Sequence, residues 1–502
     1  MADVGILVEA TKTIFAWPNV LLILLGVLIG IIGGALPGVG GALTVAIAMP
    51  FTLGMGSTSA IIFLMAIYNG VMYGGSISSI LFNVPGDSSA AATAIEGYPM
   101  TKQGRAIDAL TISALSSGLG DLFGAIVIIL LMPVMVSLVL MFGTPEYFLI
   151  AVFGLSLIIV VSDGSFLKDV MAGGFGALIA TIGVAPMSVS ERYTFGMLGL
   201  YDGVNFVAAL IGIFAISEML RLSLRDGSIS RDGDVSLSGS VKSGISDVLS
   251  KPLTLIKSSS IGLLVGAIPG SGGSVSTFIA YGEAKRSSTD PDAFGTGVED
   301  GVIATESANN ATVSGALIPT LTFGIPGSTT TAVLIGALML HGLRPGPALF
   351  DEQIGLTYSI FATLVVCSVV IIVFGLLVVR WAGYITTVNT DLIIPVIVCL
   401  SVLGAYSLHS NYIDVFVVLV MGIVGYLMDS YGYSLVAFLL GLILGPIAEE
   451  NLYRSLQLSG GSFDIFLATP LRIVLVAMIL FVVVGPYVRP LFHQLHRRAT
   501  NQ

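Results

Sequence analysis

Apolar runs of about 20 residues, each long enough to cross a bilayer, recur from residue 18 to residue 487. Between them the chain has too little charge to cover a water-facing surface. Only 10% of its 502 residues are charged and 55% are hydrophobic, against about 25% charged in an average soluble domain. Backbone groups in lipid must be satisfied within the segment, which leaves helices for runs of this kind. The expected fold class is an all-α polytopic membrane protein, multi-pass and surrounded by lipid. The 61 glycines fit, because small residues let membrane helices approach closely. The net charge of −10 says little in a membrane protein, but no Lys/Arg cluster is dense enough for nucleic acid as a partner. Cys367 and Cys399 both sit in apolar runs and read as inert thiols rather than a disulfide or metal ligands.

Runs near 18–36, 59–82, 105–131, 134–161, 166–185 and 203–220 read as spanning helices, with 38–55 a half-helix interrupted by Pro50. The chain resumes near 252–270, carries a polar helix over 292–322, and continues near 328–343, 354–380, 391–408, 412–428, 433–447 and 467–487. About 12 crossings are expected. Residues 1–17 read as a short surface segment, without the basic start of a signal peptide, so the first membrane segment is expected to be retained. Four parts follow: a first transmembrane half, 1–220; a polar inter-repeat loop, 221–251; a second transmembrane half, 252–488; and a basic C-terminal tail, 489–502. The loop holds Arg221, Arg225, Asp226, Arg231, Asp232, Asp234, Lys242, Asp247 and Lys251. The tail holds Arg489, His493, His496, Arg497 and Arg498. Both favour the cytoplasmic side.

The halves share a plan. Gly34-Ala35-Leu36-Pro37-Gly38-Val39-Gly40-Gly41 matches Gly266-Ala267-Ile268-Pro269-Gly270-Ser271-Gly272-Gly273 at six of eight positions. Asn83-Val84-Pro85-Gly86-Asp87-Ser88-Ser89 is echoed by Gly324-Ile325-Pro326-Gly327-Ser328-Thr329-Thr330. Asn69 precedes Pro85 by sixteen residues, and Asn310 precedes Pro326 by sixteen. Pro-Gly and Gly-Gly pairs break helices, and open backbone at membrane depth is tolerated only against protein or a water-filled cavity. Four breaks in two matched pairs therefore predict a cavity lined by helix starts, as in transporters built from two repeats, here expected to be inverted. Free N–H groups at helix starts suit carboxylates.

The substrate-binding candidates in the first half are Pro37, Gly38, Gly40, Gly41, Asn69, Pro85, Gly86, Asp87, Ser88 and Ser89. In the second half they are Pro269, Gly270, Ser271, Gly272, Gly273, Asn309, Asn310, Pro326, Gly327, Ser328, Thr329 and Thr330. Surface loops with tight turns are the alternative reading of these breaks. Glu306, Asn309 and Asn310 share one helix face, with Glu299 two turns earlier on a similar face. A carboxylate with amide oxygens could bind Na⁺ or carry a proton, so Glu306 and Asn310 are the coupling-ion candidates. A polar face turned to water is the alternative there. The first half has Met65 at the position matching Glu306, so the symmetry is imperfect at this point. Lys102, Arg105, His341 and Arg344 could draw an anion to the cavity mouth or act as interfacial anchors. No cofactor and no metal centre is expected, apart from Na⁺ as a coupling ion.

Two short motifs point elsewhere. Gly38-Val39-Gly40-Gly41 has no Gly-Lys-Ser/Thr after it and does not support ATP binding. Gly118-Leu119-Gly120-Asp121, Tyr201-Asp202 and Pro347-Ala348-Leu349 resemble an intramembrane aspartyl hydrolase, but in the wrong order. A stand-alone anion transporter or a channel is the other alternative.

The sequence resembles the large membrane subunit of the tripartite tricarboxylate transporter family over nearly its whole length. The resemblance is carried by Gly34–Gly41, Tyr73-Gly74-Gly75-Ser76-Ile77, Val84-Pro85-Gly86-Asp87, Gly97-Tyr98-Pro99, Glu306-Ser307-Ala308-Asn309-Asn310 and the run from Ala316 to Gly327. Three positions depart from the family pattern. Asp87 stands where Glu is usual, and Thr305-Glu306-Ser307 where Pro-Glu-Ala is frequent. The resemblance implies a bacterial inner-membrane secondary transporter driven by an ion gradient. It also implies a periplasmic solute-binding protein and a small membrane subunit as partners, and small organic carboxylates, citrate among them, as substrates.

Overall fold

Straight-chain and β-branched apolar residues without charge favour helix wherever water is excluded, and helices dominate the structure. The computed structural model describes residues 4–36, 38–158, 165–185, 190–224, 238–379 and 390–499. Among these, six helices are long and apolar enough to cross a membrane: Ser57–Phe82, Ala106–Val139, Phe206–Ser223, Ile354–Val378, Tyr412–Ser430 and Leu435–Leu458. Two bent pairs, Val4–Phe15 with Asn19–Ala35 (72°) and Val241–Ser250 with Pro252–Gly266 (77°), bring the number to eight if each pair counts as one span. Leu130, Val134 and Leu377 are each more than 60% exposed on such helices. Apolar surface of that extent fits lipid rather than water. The protein is a helical membrane protein.

Several boundaries differ from the sequence reading. The runs 105–131 and 134–161 are not two crossings divided near Pro133. Ala106–Val139 is one 34-residue helix with Pro133 inside it, and the break falls at Gly143, before Thr144–Ser156. A proline in a membrane helix is tolerated where neighbouring groups satisfy the carbonyl it frees. Residues 1–17 hold a helix, Val4–Phe15, with Ala10 and Ile14 buried. The 221–251 segment is not all loop, since Val241–Ser250 is helical; Arg225, Asp226, Arg231, Asp232 and Asp234 lie outside the described residues. The basic tail is the end of a Pro470–Ala499 helix. A two-residue antiparallel pairing, Gly183–Val184 with Glu191–Arg192, is an exception to the all-helical expectation.

The chain forms two compact units. The first comprises 1–139 and 206–426, and so draws on both sequence halves. Its helices pack through glycine. A Cβ at Gly30 would lie 2.3 Å from the Ile67 carbonyl oxygen, and one at Gly262 would lie 2.2 Å from the Ala308 carbonyl oxygen. Each glycine therefore sets Asn19–Ala35 against Ser57–Phe82, or Pro252–Gly266 against Glu299–Phe323, at backbone contact. The second unit comprises 140–205 and 427–502. Its Phe166–Ala180 and Leu435–Leu458 helices meet at Gly176, whose Cβ would lie 2.0 Å from the Phe438 carbonyl oxygen. Glu146 and Arg472 form a partly buried ion pair at 2.6 Å within it.

Candidate functional site

The four helix breaks adopt matched backbone forms. Gly38 and Gly40 have φ of 83° and 57°; Gly270 and Gly272 have 76° and 63°. Left-handed backbone at alternate positions favours glycine, which is why the pattern reads Gly-x-Gly in both copies. New helices begin at once, Gly40–Ala48 and Gly272–Ser287. The Ser57–Phe82 helix ends at Asn83 (φ 58°) and the Glu299–Phe323 helix at Gly324 (φ 68°), both left-handed C-caps. Pro85-Gly86 and Pro326-Gly327 follow, and the chain turns into Ser88–Ala90 with Ala91–Lys102, and into Thr329–Leu340.

The breaks meet. Within the second half, Gly270 N donates to the Pro326 carbonyl and Gly272 N to the Gly327 carbonyl, both at 3.2 Å. Within the first, Gly41 N donates to Asp87 Oδ2 at 3.3 Å. Across the halves, the Ser274 hydroxyl donates to that of Ser88 at 2.9 Å, and Tyr68 and Ser328 share a hydrogen bond at 3.3 Å. A Cβ at Gly273 would sit 2.7 Å from Ser89 Cβ, and one at Gly41 would sit 2.5 Å from Thr330 Oγ1. Each Gly-Gly start thus bonds the Pro-Gly turn segment of its own half and touches the helix start that follows the Pro-Gly turn of the other half. Ser328 and Thr331 form a reciprocal cap, while Ser271 donates to the carbonyls of Val265 and Ile268. Thr329 opens the last of the four helices. Pro37 lies outside the described residues, and Pro269 precedes Gly270 in the matched turn. Asp87 also accepts the Ser89 amide at 3.0 Å. Its carboxylate therefore caps two helix starts and occupies donors that an anion would otherwise use.

Behind the breaks runs the polar helix Glu299–Phe323. Glu306, Asn309 and Asn310 are fully buried, which removes the water-facing alternative. They reach different partners. Glu306 Oε2 accepts from Ser76 (2.7 Å), Ser113 (2.9 Å) and Ser117 (2.7 Å), and Oε1 accepts from Thr93. Four hydroxyls from three helices surround one carboxylate. Asn309 Nδ2 donates to the Met72 carbonyl at 2.9 Å. Asn310 Nδ2 donates to Asn69 Oδ1 at 3.1 Å, and Asn69 Nδ2 donates to Asp121 Oδ2 at 2.9 Å. So the two asparagines matched in sequence bond each other, and an unforeseen carboxylate joins them.

The remaining candidates fall away from this cluster. Glu299 is paired with Arg105 at the edge of its helix. Lys102 lies over the Tyr98 ring at 4.5 Å. His341 shares a hydrogen bond with Thr52 Oγ1 at 2.8 Å. Arg344 is exposed. Of the hydrolase motif, Asp121 is fully buried against Asn69, whereas Asp202 is exposed on a turn. Thr93, Ser76, Ser113, Ser117 and Asp121 were not singled out as site residues from sequence. The spacing of Ser113, Ser117 and Asp121 along one face of a largely apolar helix was the available signal.

Residues 20–440 match the family described as the tripartite tricarboxylate transporter TctA family. An uncharacterized 52.8 kDa protein in the TAR-I ttuC' 3' region of Agrobacterium vitis is 35% identical over 462 residues, 92% of this chain and 91% of the relative. A second Agrobacterium vitis protein, in the TAR-II ttuC' 3' region, is 34% identical over 210 residues, 42% of this chain and 87% of the relative. No solved structure matches.

Proposed function

The chain belongs to the tripartite tricarboxylate transporter TctA family, and on that premise we propose that it is the membrane permease of a binding-protein-dependent secondary transporter for small organic carboxylates. It is a transporter-family membrane protein rather than a member of an enzyme family, and the family works as part of a three-component system. The finer reading is ours. The substrate binds where the four helix starts meet, between Gly40–Gly41 with Ser328–Thr330 on one side and Gly272–Gly273 with Ser88–Ser89 on the other. Asp87 sets the turns there and leaves the Gly272 and Thr329 helix starts, with their hydroxyls, to face the carboxylate. Glu306 and Asn310 belong to the ion-coupling apparatus behind it. The sequence halves 1–220 and 252–488 are inverted repeats, and their alternation opens the site to either side of a bacterial inner membrane. A periplasmic binding protein delivers the substrate, and a small membrane subunit completes the assembly.

The observation that carries this reading is the meeting of four interrupted helices, each Gly-Gly start touching the helix start that follows the other half's Pro-Gly turn. Backbone opened within a membrane lies against protein or a water-filled cavity, and a substrate site between the helix starts fits that requirement. The test is uptake of labelled citrate and related carboxylates into proteoliposomes holding the chain and its small membrane partner, with the binding protein supplied outside. Saturable accumulation that needs both the binding protein and an imposed Na⁺ or H⁺ gradient is expected. Non-saturable, gradient-independent flux would make the protein a channel instead.

A further inference from the structure

Ser113, Ser117 and Asp121 lie at i, i+4 and i+8 on the Ala106–Val139 helix, about 6 Å apart along one face. The first two end on Glu306. Asp121, one turn further, ends on Asn69, which in turn accepts from Asn310. All three members of this chain are fully buried. Their satisfaction is uneven. Glu306 receives four hydroxyls. Asp121 Oδ1 and Asn310 Oδ1 have no hydrogen-bond partner among the described residues, and neither has Ser314 Oγ one turn beyond Asn310. Ser368, whose hydroxyl donates to the Leu364 carbonyl at 2.7 Å, faces the Asp121 carboxylate.

The backbone brings these oxygens together deliberately close. A Cβ at Gly120 would lie 2.3 Å from the Ser307 carbonyl oxygen, and one at Gly124 would lie 2.8 Å from Ser314 Cβ. Two glycines flanking Asp121 thus set its helix directly on the stretch that carries Asn310 and Ser314. A buried carboxylate with an open oxygen, on a helix packed against open neutral oxygens, is unfavourable unless a proton or a bound cation neutralises it, and open oxygens on both sides favour the cation. One carboxylate with neutral oxygens balances a single positive charge.

We infer that Asp121 is a ligand of a small monovalent cation, with the Asn310 side-chain oxygen beside it and Asn69 holding the two in register. This deepens the transporter reading, on which it rests for the cation's purpose: the coupling ion sits one helical turn from Glu306, and Glu306 fixes the helices that form its site. The experiment is a thermal melt of the purified full-length chain in detergent, titrated with NaCl against KCl and choline chloride at constant ionic strength. The wild type is expected to show a saturable, sodium-specific rise in Tm. Asp121→Asn should abolish the rise while melting in choline no lower than the wild type, because it removes a buried charge. Asn310→Ala should raise the half-saturating sodium concentration about tenfold or more. The inference is overturned if the wild type shows no sodium-specific rise, or if either variant keeps the wild-type half-saturation. If Asp121→Asn cannot be purified folded, Asn310→Ala decides alone. No carboxylate is present in the melt, so a chain that binds sodium but fails to accumulate substrate would refute the transporter reading and leave the cation site standing.

Discussion

Glu306 shows how much one buried side chain can organise. Its carboxylate gathers Ser76, Thr93, Ser113 and Ser117, which lie between 189 and 230 residues away along the chain. Glu306→Leu would leave those four hydroxyls without their acceptor in a dry interior, and a loss of roughly 3–5 kcal/mol is expected. Thermal unfolding in detergent should show it as a large drop in Tm, and an unchanged Tm would mean that the hydroxyls find other partners. Glu306→Gln keeps the shape and an acceptor oxygen, so the fold should survive while gradient-driven uptake is lost. Wild-type uptake by that variant would remove Glu306 from the coupling apparatus. Glu306 could be picked out in the sequence, because an acid at membrane depth is costly without a purpose. Its partners could not. Serines and threonines are common in membrane helices, and only packing shows which of them share an acceptor.

Helix breaks were the most legible elements, because Pro-Gly and Gly-x-Gly state a backbone requirement locally. Gly270 and Gly38 both need left-handed backbone, and Leu at either position would strain the turn and fill the space before a helix start. Uptake should fall more than about tenfold in each, and wild-type rates in both would place the substrate elsewhere. Gly282 is the internal control: it lies in the Gly272–Ser287 helix with nothing within 4 Å of its Cβ position. Gly282→Ala should leave uptake intact and favour the helix by up to about 1 kcal/mol. Glycines that set helix spacing behave differently. Gly262→Ala drives a methyl into the Ala308 carbonyl, which cannot move aside as a side chain tip would. A stability loss of about 1–3 kcal/mol is expected from melting curves. Helix ends inside long apolar runs were the least legible. Pro133 signalled a break that did not occur, because in lipid the carbonyl it frees can be satisfied by neighbours rather than by ending the helix.

At the scale of the molecule, the proposed alternation of the halves predicts that contacts between their helix starts are transient. Ser88 and Ser274 touch across the halves at 2.9 Å, close enough for a cysteine pair to bridge. In a Cys399→Ser background, Ser88→Cys with Ser274→Cys should lose uptake on oxidation and recover it on reduction. Uptake that persists in the fully cross-linked protein would show that these starts stay together throughout the cycle. The sequence by itself determined that the chain lives in lipid, that it is helical, and that its helices are broken at two matched pairs of sites. Those properties follow from composition and from what proline and glycine do to the backbone beside them. Only the tertiary structure decided that each Gly-Gly start meets the helix start after the opposite half's Pro-Gly turn, that Asn69 bonds Asn310, and that Asp121 completes their chain with an open oxygen. Such pairings join residues 52 to 241 positions apart. No local pattern encodes them, because they depend on which helix faces which once glycine lets the backbones touch.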